Sequence, residues 1–404
     1  MNATPPQPPR PAHVPQERVV DMNIFDLPGG ERDAQLAWKA LSGRGDLIWT
    51  PWHGGHWITT SGELIERIYK DPEGFSNAEV GIPPKKFPVQ LLPIQLDGEA
   101  HRAFRTLIMP AFHPAAVRSY AAQARALAVE LIEGFRPTGR CDFVGEFSLV
   151  MPLTIFLTIV DLPLQDRVEL HDLVRRSSRS PTQEARTAAF RQIEGYLGGW
   201  IERRRADPGE DLLSKIIHAK IDGRPLSQQQ VLGVAILLLF AGLDTVAAMM
   251  AFVMRHLAER PELRAWLIGH PDKIAPAVEE LMRRHGVANN VRTVTADVEL
   301  DGVTLRRGDY IVVPNCLHGL DERQFSDALV VDFDRRPAQT GTFGWGPHHC
   351  AGANLARLEM RILLEEWLTR IPDFEIDPEA EVLEQTGTVN GVLQLPLRWS
   401  AAGR

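Results

Sequence analysis

Phe343-Gly344-Trp345-Gly346-Pro347-His348-His349-Cys350-Ala351-Gly352 places one cysteine in a glycine-punctuated loop. The loop directly precedes a run in which Leu355, Leu358, Ile362 and Trp367 recur at helical spacing. Gly344, Gly346 and Gly352 open backbone angles closed to other residues and let a flat ligand approach the chain. A helix starting just after the cysteine turns N–H groups and the positive end of its dipole toward the sulfur, which favours the thiolate. A cysteine met in isolation is more often a small buried hydrophobe. The glycines and Phe343 shift Cys350 to a metal-holding thiolate.

Working outward, the 404 residues carry a formal net charge of −8, which gives no global attraction to nucleic acid or to an anionic membrane. Cys141, Cys316 and Cys350 are the three cysteines and form no C-x-x-C pair. That speaks against a disulfide framework and fits a reducing cytoplasm. A zinc cluster built on His348, His349 and Cys350 is disfavoured, because adjacent residues do not all face one tetrahedral ion. Thr4-Pro5-Pro6-Gln7-Pro8-Pro9-Arg10-Pro11 opens a flexible, partly polyproline arm, expected to cover residues 1–17. No composition break divides the remainder, so residues 18–404 are expected to form one domain.

The apolar stretch Val231 to Met254, VLGVAILLLFAGLDTVAAMMAFVM, is long enough to span a membrane. Asp244 near its middle, a capping-box pair of Ser227 and Gln230, and Pro261 beyond its end predict a buried helix instead. That helix runs from about Gln228 to Ala258 and is about 46 Å long. Amphipathic stretches from about Ala115 to Leu257 predict further helices, broken at Pro137, Pro163, Pro181 and Pro208. Strands are expected at Leu47-Ile48-Trp49 and Trp57-Ile58-Thr59, at Val298–Leu300 and Val303–Leu305 around Asp301-Gly302, and at Tyr310–Val313. The fold class is mainly α with a minor β region.

Three further constellations carry chemistry. Ala241-Gly242-Leu243-Asp244-Thr245 sets an acid and a hydroxyl side by side in an apolar helix, where they are costly to bury without partners and are expected to line a cavity. Gly242 removes bulk there, and the Thr245 hydroxyl can bond a carbonyl of the preceding turn. Glu280 and Arg283 share a helix face, with Arg335 downstream. His101, Arg102, Arg105 and Arg292 supply positive charge for an anionic ligand.

Phe-x-x-Gly-x-x-x-Cys-x-Gly at Phe343–Gly352, Ala-Gly-x-Asp-Thr at Ala241–Thr245 and Glu-x-x-Arg at Glu280–Arg283 stand in the order found in the cytochrome P-450 family. The chain resembles that family from about Val19 onward, most closely the bacterial class I, camphor 5-monooxygenase branch. Leu237–Val246, Gly319–Arg323 and Glu366–Phe374 carry that closeness. The resemblance implies a triangular-prism fold with a long central helix over haem b. It implies Cys350 as the iron's thiolate ligand, with Phe343 and Gly352 also among the cofactor-binding residues. His101, Arg105, Arg292 and His348 would bind the haem propionates, and Glu280, Arg283 and Arg335 would form a structural network below. Asp244 and Thr245 would serve oxygen activation, Asp244 feeding protons from solvent.

Electrons would come from NADH through a ferredoxin reductase and a 2Fe-2S ferredoxin docking near Arg102 and Arg105. The protein would be a cytoplasmic monomer without membrane or nucleic-acid partners. By position, Phe87, Val89, Ile94, Leu237, Phe240, Ala241, Ala288 and Val389 would line the substrate pocket. Camphor-hydroxylating members anchor the substrate carbonyl with a tyrosine where this chain has Val89, so a small apolar terpenoid is expected: a cyclic ether such as 1,8-cineole, a camphor-like ketone or an ionone-type norisoprenoid. A haem-binding sensor or carrier and a peroxide-driven peroxygenase are the alternatives. The Asp244-Thr245 pair speaks against both, since a sensor needs no proton relay and such peroxygenases carry Arg-Pro there.

Overall fold

The computed structural model describes residues 9–84, 88–179, 182–335 and 340–401. Its backbone contacts cluster into two compact units, each assembled from segments distant in sequence. That interleaving explains why no composition break marks a boundary.

The first unit comprises Met1–Lys86, Ala251–Cys350 and Pro378–Leu395. It contains a five-stranded sheet with spatial order Leu47–Thr50, His56–Thr59, Tyr310–Pro314, Asn289–Val294 and Phe75–Ser76. The first two strands form the expected hairpin, with Trp49 opposite Trp57. Every residue of both is buried, so the sheet is covered on both faces. Tyr310–Pro314 joins His56–Thr59 in parallel and Asn289–Val294 antiparallel, setting Ile311 opposite Arg292. The Val298–Leu305 hairpin turns on Asp301 at φ 51° and Gly302 at φ 72°, the left-handed pair that a tight two-residue turn requires.

The core of this unit gathers Trp38, Trp57, Val312 and Trp345, and it also includes Val14, which is fully buried. This corrects the expectation of a flexible arm through residue 17. The segment docks because Val14 is an apolar residue among prolines, and its polar neighbours find distant partners. His13 lies 2.9 Å from Asp309, and Arg18 pairs with Asp301 at 2.7 Å. Residues 1–8, the most proline-dense part of the arm, lie outside the described residues.

The second unit comprises Phe87–Met250, Ala351–Asp377 and Pro396–Arg404. It is built mainly of helices, among them Gly98–Phe112, Pro114–Phe135, Gln183–Ala206 and Ala353–Arg370, with a small sheet of Glu375–Ile376, Pro396–Arg398 and Arg140–Asp142. Trp367, fully buried, collects the rings of Phe135, Phe143, Phe374 and Trp399 at 5.3 to 5.9 Å. The helix Gln228–Glu259 runs through the whole apolar stretch. Its capping box closes reciprocally: the Gln230 N–H donates to Ser227 Oγ at 3.2 Å, and the Ser227 N–H to Gln230 Oε1 at 2.9 Å. It is long and apolar enough to cross a membrane, and half of its most apolar window is buried inside the protein.

Gly233 is the point where the 88–92 loop meets this helix. A Cβ there would stand 2.2 Å from the Gln90 carbonyl oxygen and 3.4 Å from the Val89 side chain, so only glycine permits the approach. The Leu92 N–H donates to the Gly233 carbonyl at 3.4 Å.

Candidate functional site

Two single-turn helices, Gly341–Phe343 and Gly346–His348, shape the cysteine loop of the first unit. The Cys350 N–H donates to the Phe343 carbonyl at 2.9 Å and the His349 N–H to the Gly346 carbonyl at 3.1 Å, which closes the loop on itself. Gly344 and Gly346 take φ of 68° and 69°. A Cβ on Gly346 would stand 2.5 Å from the Tyr69 carbonyl oxygen, so the loop sits directly on that backbone. Trp345 is buried between Tyr69 and His318, with ring centroids 6.0 and 4.6 Å away. Burial pushes the His318 imidazole down to about 4, which leaves it neutral and able to accept the Gly341 N–H on Nδ1 at 3.1 Å. Cys350 is exposed at the end of this rigid loop, two residues before the helix N-cap Gly352.

Arg292, on the strand Asn289–Val294, is buried with its guanidinium 4.9 Å from the centre of the Tyr69 ring. It donates to the Asn77 side-chain oxygen and, at 2.8 Å, to the Val291 carbonyl. Asn77 Nδ2 lies 3.3 Å from His348 Nδ1. Asn77 thus links two of the four predicted anion-binding residues in the unit that holds Cys350. Sequence reasoning missed both Asn77 and Tyr69. Their contacts bridge 215 positions to Arg292 and 246 to Asn315, and no local pattern announces them.

Below the loop, the structure brings Glu280, Arg283 and Arg335 together. Arg283 Nε and Nη2 donate to the two Glu280 oxygens, both at 2.8 Å. Its remaining N–H groups go to the carbonyls of Gly319, Ala328 at 2.7 Å and Val330 at 2.9 Å. Arg335 Nε reaches Glu280 Oε1 at 3.1 Å. Thr342 Oγ1 donates to the Met282 carbonyl at 3.0 Å and so ties the cysteine loop to this helix.

In the second unit, the helix Gly98–Phe112 sets His101 and Arg105 four residues apart on one face. Burial first, and then the Arg105 charge, hold the His101 imidazole below its ordinary value. Arg102 is exposed and paired with Glu99. On the long helix, Thr245 Oγ1 donates to the Ala241 carbonyl at 2.8 Å, the bond to the preceding turn expected from the sequence. Asp244 is half-buried, Ala241 and Gly242 are exposed, and a Cβ on Gly242 would meet nothing within 4 Å.

Of the predicted pocket residues, Val89 is buried, while Ile94, Leu237 and Phe240 are half-buried. Phe240 stacks on Phe190 with centroids 6.0 Å apart, and Phe190 is a neighbour that sequence spacing did not reveal. In the first unit, Ala288 and Val389 pair through an isolated antiparallel bridge. Phe87 lies outside the described residues.

Comparison with known proteins agrees with these features. A family model for cytochrome P-450 matches residues 275–400. A probable cytochrome P-450 127A1 of Sinorhizobium fredii is 32% identical over 97% of this chain and 97% of its own. Mycinamicin IV hydroxylase/epoxidase of Micromonospora griseorubida is 35% identical over 76% of this chain and 79% of its own. Among solved structures, cytochrome P-450 CYP101C1 superposes with a TM-score of 0.91 at 40% identity and CYP101J2 with 0.90 at 38%, each over 97% of this chain and 100% of the other.

The chain belongs to the cytochrome P-450 family. It is a monooxygenase of the bacterial type, close to the CYP101 structures, and the family brings a haem with a cysteine thiolate.

The donor chemistry of these residues fits that group. Among the described residues no set of three or more His, Cys, Asp or Glu side chains could hold a metal ion. A metal on Cys350 would therefore bring its other ligands with it, as a haem macrocycle does. Buried Arg292 and half-buried His348, linked through Asn77, carry the kind of donor groups that the anionic edge of such a group would need.

Proposed function

We propose that this monooxygenase, with the chain from the docked His13-Val14 segment onward acting as one catalytic domain in the cytoplasm, hydroxylates a small, compact, largely apolar terpenoid. Electrons would reach it from NADH through a ferredoxin reductase and a 2Fe-2S ferredoxin. When bound, the haem supplies reductive activation of O2, with one oxygen atom transferred to a substrate C–H bond and the other released as water. Cys350 is the thiolate that enriches the iron in electron density. Arg292 and His348, linked by Asn77, together with His101 and Arg105, neutralise the propionates. Thr245 presents a hydroxyl held in place by the Ala241 carbonyl, and Asp244 relays protons from solvent. Arg102, exposed on the same helix as Arg105, contributes to the docking surface for an acidic ferredoxin.

The observation that carries the substrate class is the apolar character of the 88–92 loop where it meets the long helix. Val89 is packed against Gly233 in place of a hydrogen-bond donor, and Phe240 with Phe190 adds aromatic bulk. A buried ketone without a donor loses about 1 to 3 kcal/mol, or roughly 5- to 150-fold in affinity. Spin-state titrations of the oxidised enzyme are therefore expected to show tighter binding of 1,8-cineole, which has no carbonyl, than of camphor, and a single major product only from the former. Tight camphor binding with one product would refute this substrate class.

A further inference from the structure

Four side chains that line one pocket of the first unit carry five buried nitrogen atoms without hydrogen-bond partners: Gln35 Nε2, His256 Nε2, Arg284 Nη1 and both ring nitrogens of His285. The pocket opens partly to solvent and offers about 80 Å³, room for several waters or one small ion. Gln35 is 1% exposed, His285 6% and Arg284 7%, and His256 is half-buried. Buried polar atoms are nearly always paired, and an unpaired set on one cavity calls for an explanation.

The acceptors nearby are already engaged. Glu384 takes the Arg255 guanidinium on one oxygen and the Ala34 N–H on the other at 2.8 Å. Glu259 takes Arg255 Nε at 2.9 Å. Asp33 caps its helix by accepting the Leu36 N–H at 2.9 Å, and its second oxygen stays 3.8 Å from Arg284 Nη2. Arg284 Nε is spent on the Leu329 carbonyl at 3.1 Å. The guanidinium Nη1 and the Gln35 amide are obligate donors, and each neutral imidazole offers one donor and one acceptor. The His285 ring lies parallel to but offset from Phe252 and meets His256 edge to face, centroids 6.1 and 4.9 Å away, which holds the direction of its nitrogens.

We propose that this cavity binds one small oxyanion of the inorganic phosphate type, held by Arg284, His285, His256 and Gln35. Its oxygens accept from Arg284 and Gln35, and a hydroxyl on the anion donates to an imidazole nitrogen. Burial, reinforced by the Arg284 charge, pushes His256 down to about 4 and His285 in the same direction, so both rings are neutral and carry the acceptor nitrogen such a hydroxyl needs. Because Arg284 holds the Leu329 carbonyl while Arg283 holds those of Ala328 and Val330, an anion on Arg284 fixes the segment that closes over the Glu280–Arg283 network. The anion therefore stabilises the unit without entering the chemistry.

The test is calorimetric titration of the haem-loaded protein with inorganic phosphate, with sodium chloride at matched ionic strength as the control, together with thermal melting. One phosphate per chain and a rise in Tm with phosphate are expected. His285→Phe, which keeps the stack on Phe252, and Gln35→Leu are each expected to weaken phosphate binding by about ten-fold or more and to leave the reduced carbon monoxide spectrum unchanged. No saturable phosphate binding by the unsubstituted protein, or undiminished binding by both variants, overturns the proposal and assigns the cavity to water.

Discussion

Replacing Arg283 with alanine is expected to leave almost no haem-containing protein. The side chain is 1% exposed and makes five hydrogen bonds, two to Glu280 and three to backbone carbonyls of the 319–330 region. Alanine would strand a buried carboxylate with Arg335 as its remaining cationic partner and take the guanidinium from the Gly319 and Ala328 carbonyls, while Val330 keeps Arg335 Nη2 at 3.3 Å. Removing one member of a buried ion pair costs about 3 to 5 kcal/mol, against a total stability of about 5 to 15 kcal/mol for a typical protein. The damage would also propagate, because Thr342 holds the cysteine loop to the carbonyl of Met282, the residue before Arg283. Arg283→Lys keeps a charge but lacks the planar fork that serves Glu280 and the carbonyls together, so it should rescue only in part. The ratio of haem to protein absorbance, with a melting curve, measures the effect. Haem content and Tm near those of the unsubstituted protein would show that the network is dispensable.

Thr245→Ala is expected to fail in the opposite way, with an intact protein that wastes electrons. The hydroxyl makes a bond to the Ala241 carbonyl beside the exposed Gly242, so its loss should cost no more than about 1 kcal/mol. The proton supply it organises matters more, since a positioned proton donor contributes about 100- to 10,000-fold to a rate. Product formed per NADH should fall on the order of 100-fold, with NADH use largely retained and hydrogen peroxide taking up the difference. Thr245→Ser should restore much of the coupling. Product yield unchanged in the alanine variant would remove Thr245 from the relay.

What was legible in the sequence is what local chemistry dictates. Ser227 and Gln230 announce the start of the long helix because the capping box is a contact within four residues. Asp301-Gly302 announces its hairpin because the turn needs two left-handed residues in succession. The cysteine loop is legible for the same reason: Gly344 and Gly346 occupy positive φ, and the Cys350 N–H turns back only seven residues, to Phe343.

What was hidden depends on the tertiary fold. Asn77 bridges Arg292 and His348, and Gly233 seats the 88–92 loop by receiving the Gln90 carbonyl; each looks ordinary in its own neighbourhood. Val14 reads as part of a proline-rich arm, yet it is buried because a core sealed by Trp38 and Trp57 accepts it. The orphaned nitrogens of His256 and His285 were equally invisible, since 28 intervening residues separate two rings that lie edge to face.

The claim on which the functional reading rests is that Cys350 holds haem iron through its thiolate. The absorption spectrum of the reduced protein under carbon monoxide tests it most directly, recorded beside that of Cys350→Ser. A strongly red-shifted Soret band in the unsubstituted protein that disappears in the serine variant is the expected result. A band without that shift, or a shift that survives the loss of Cys350, would contradict it.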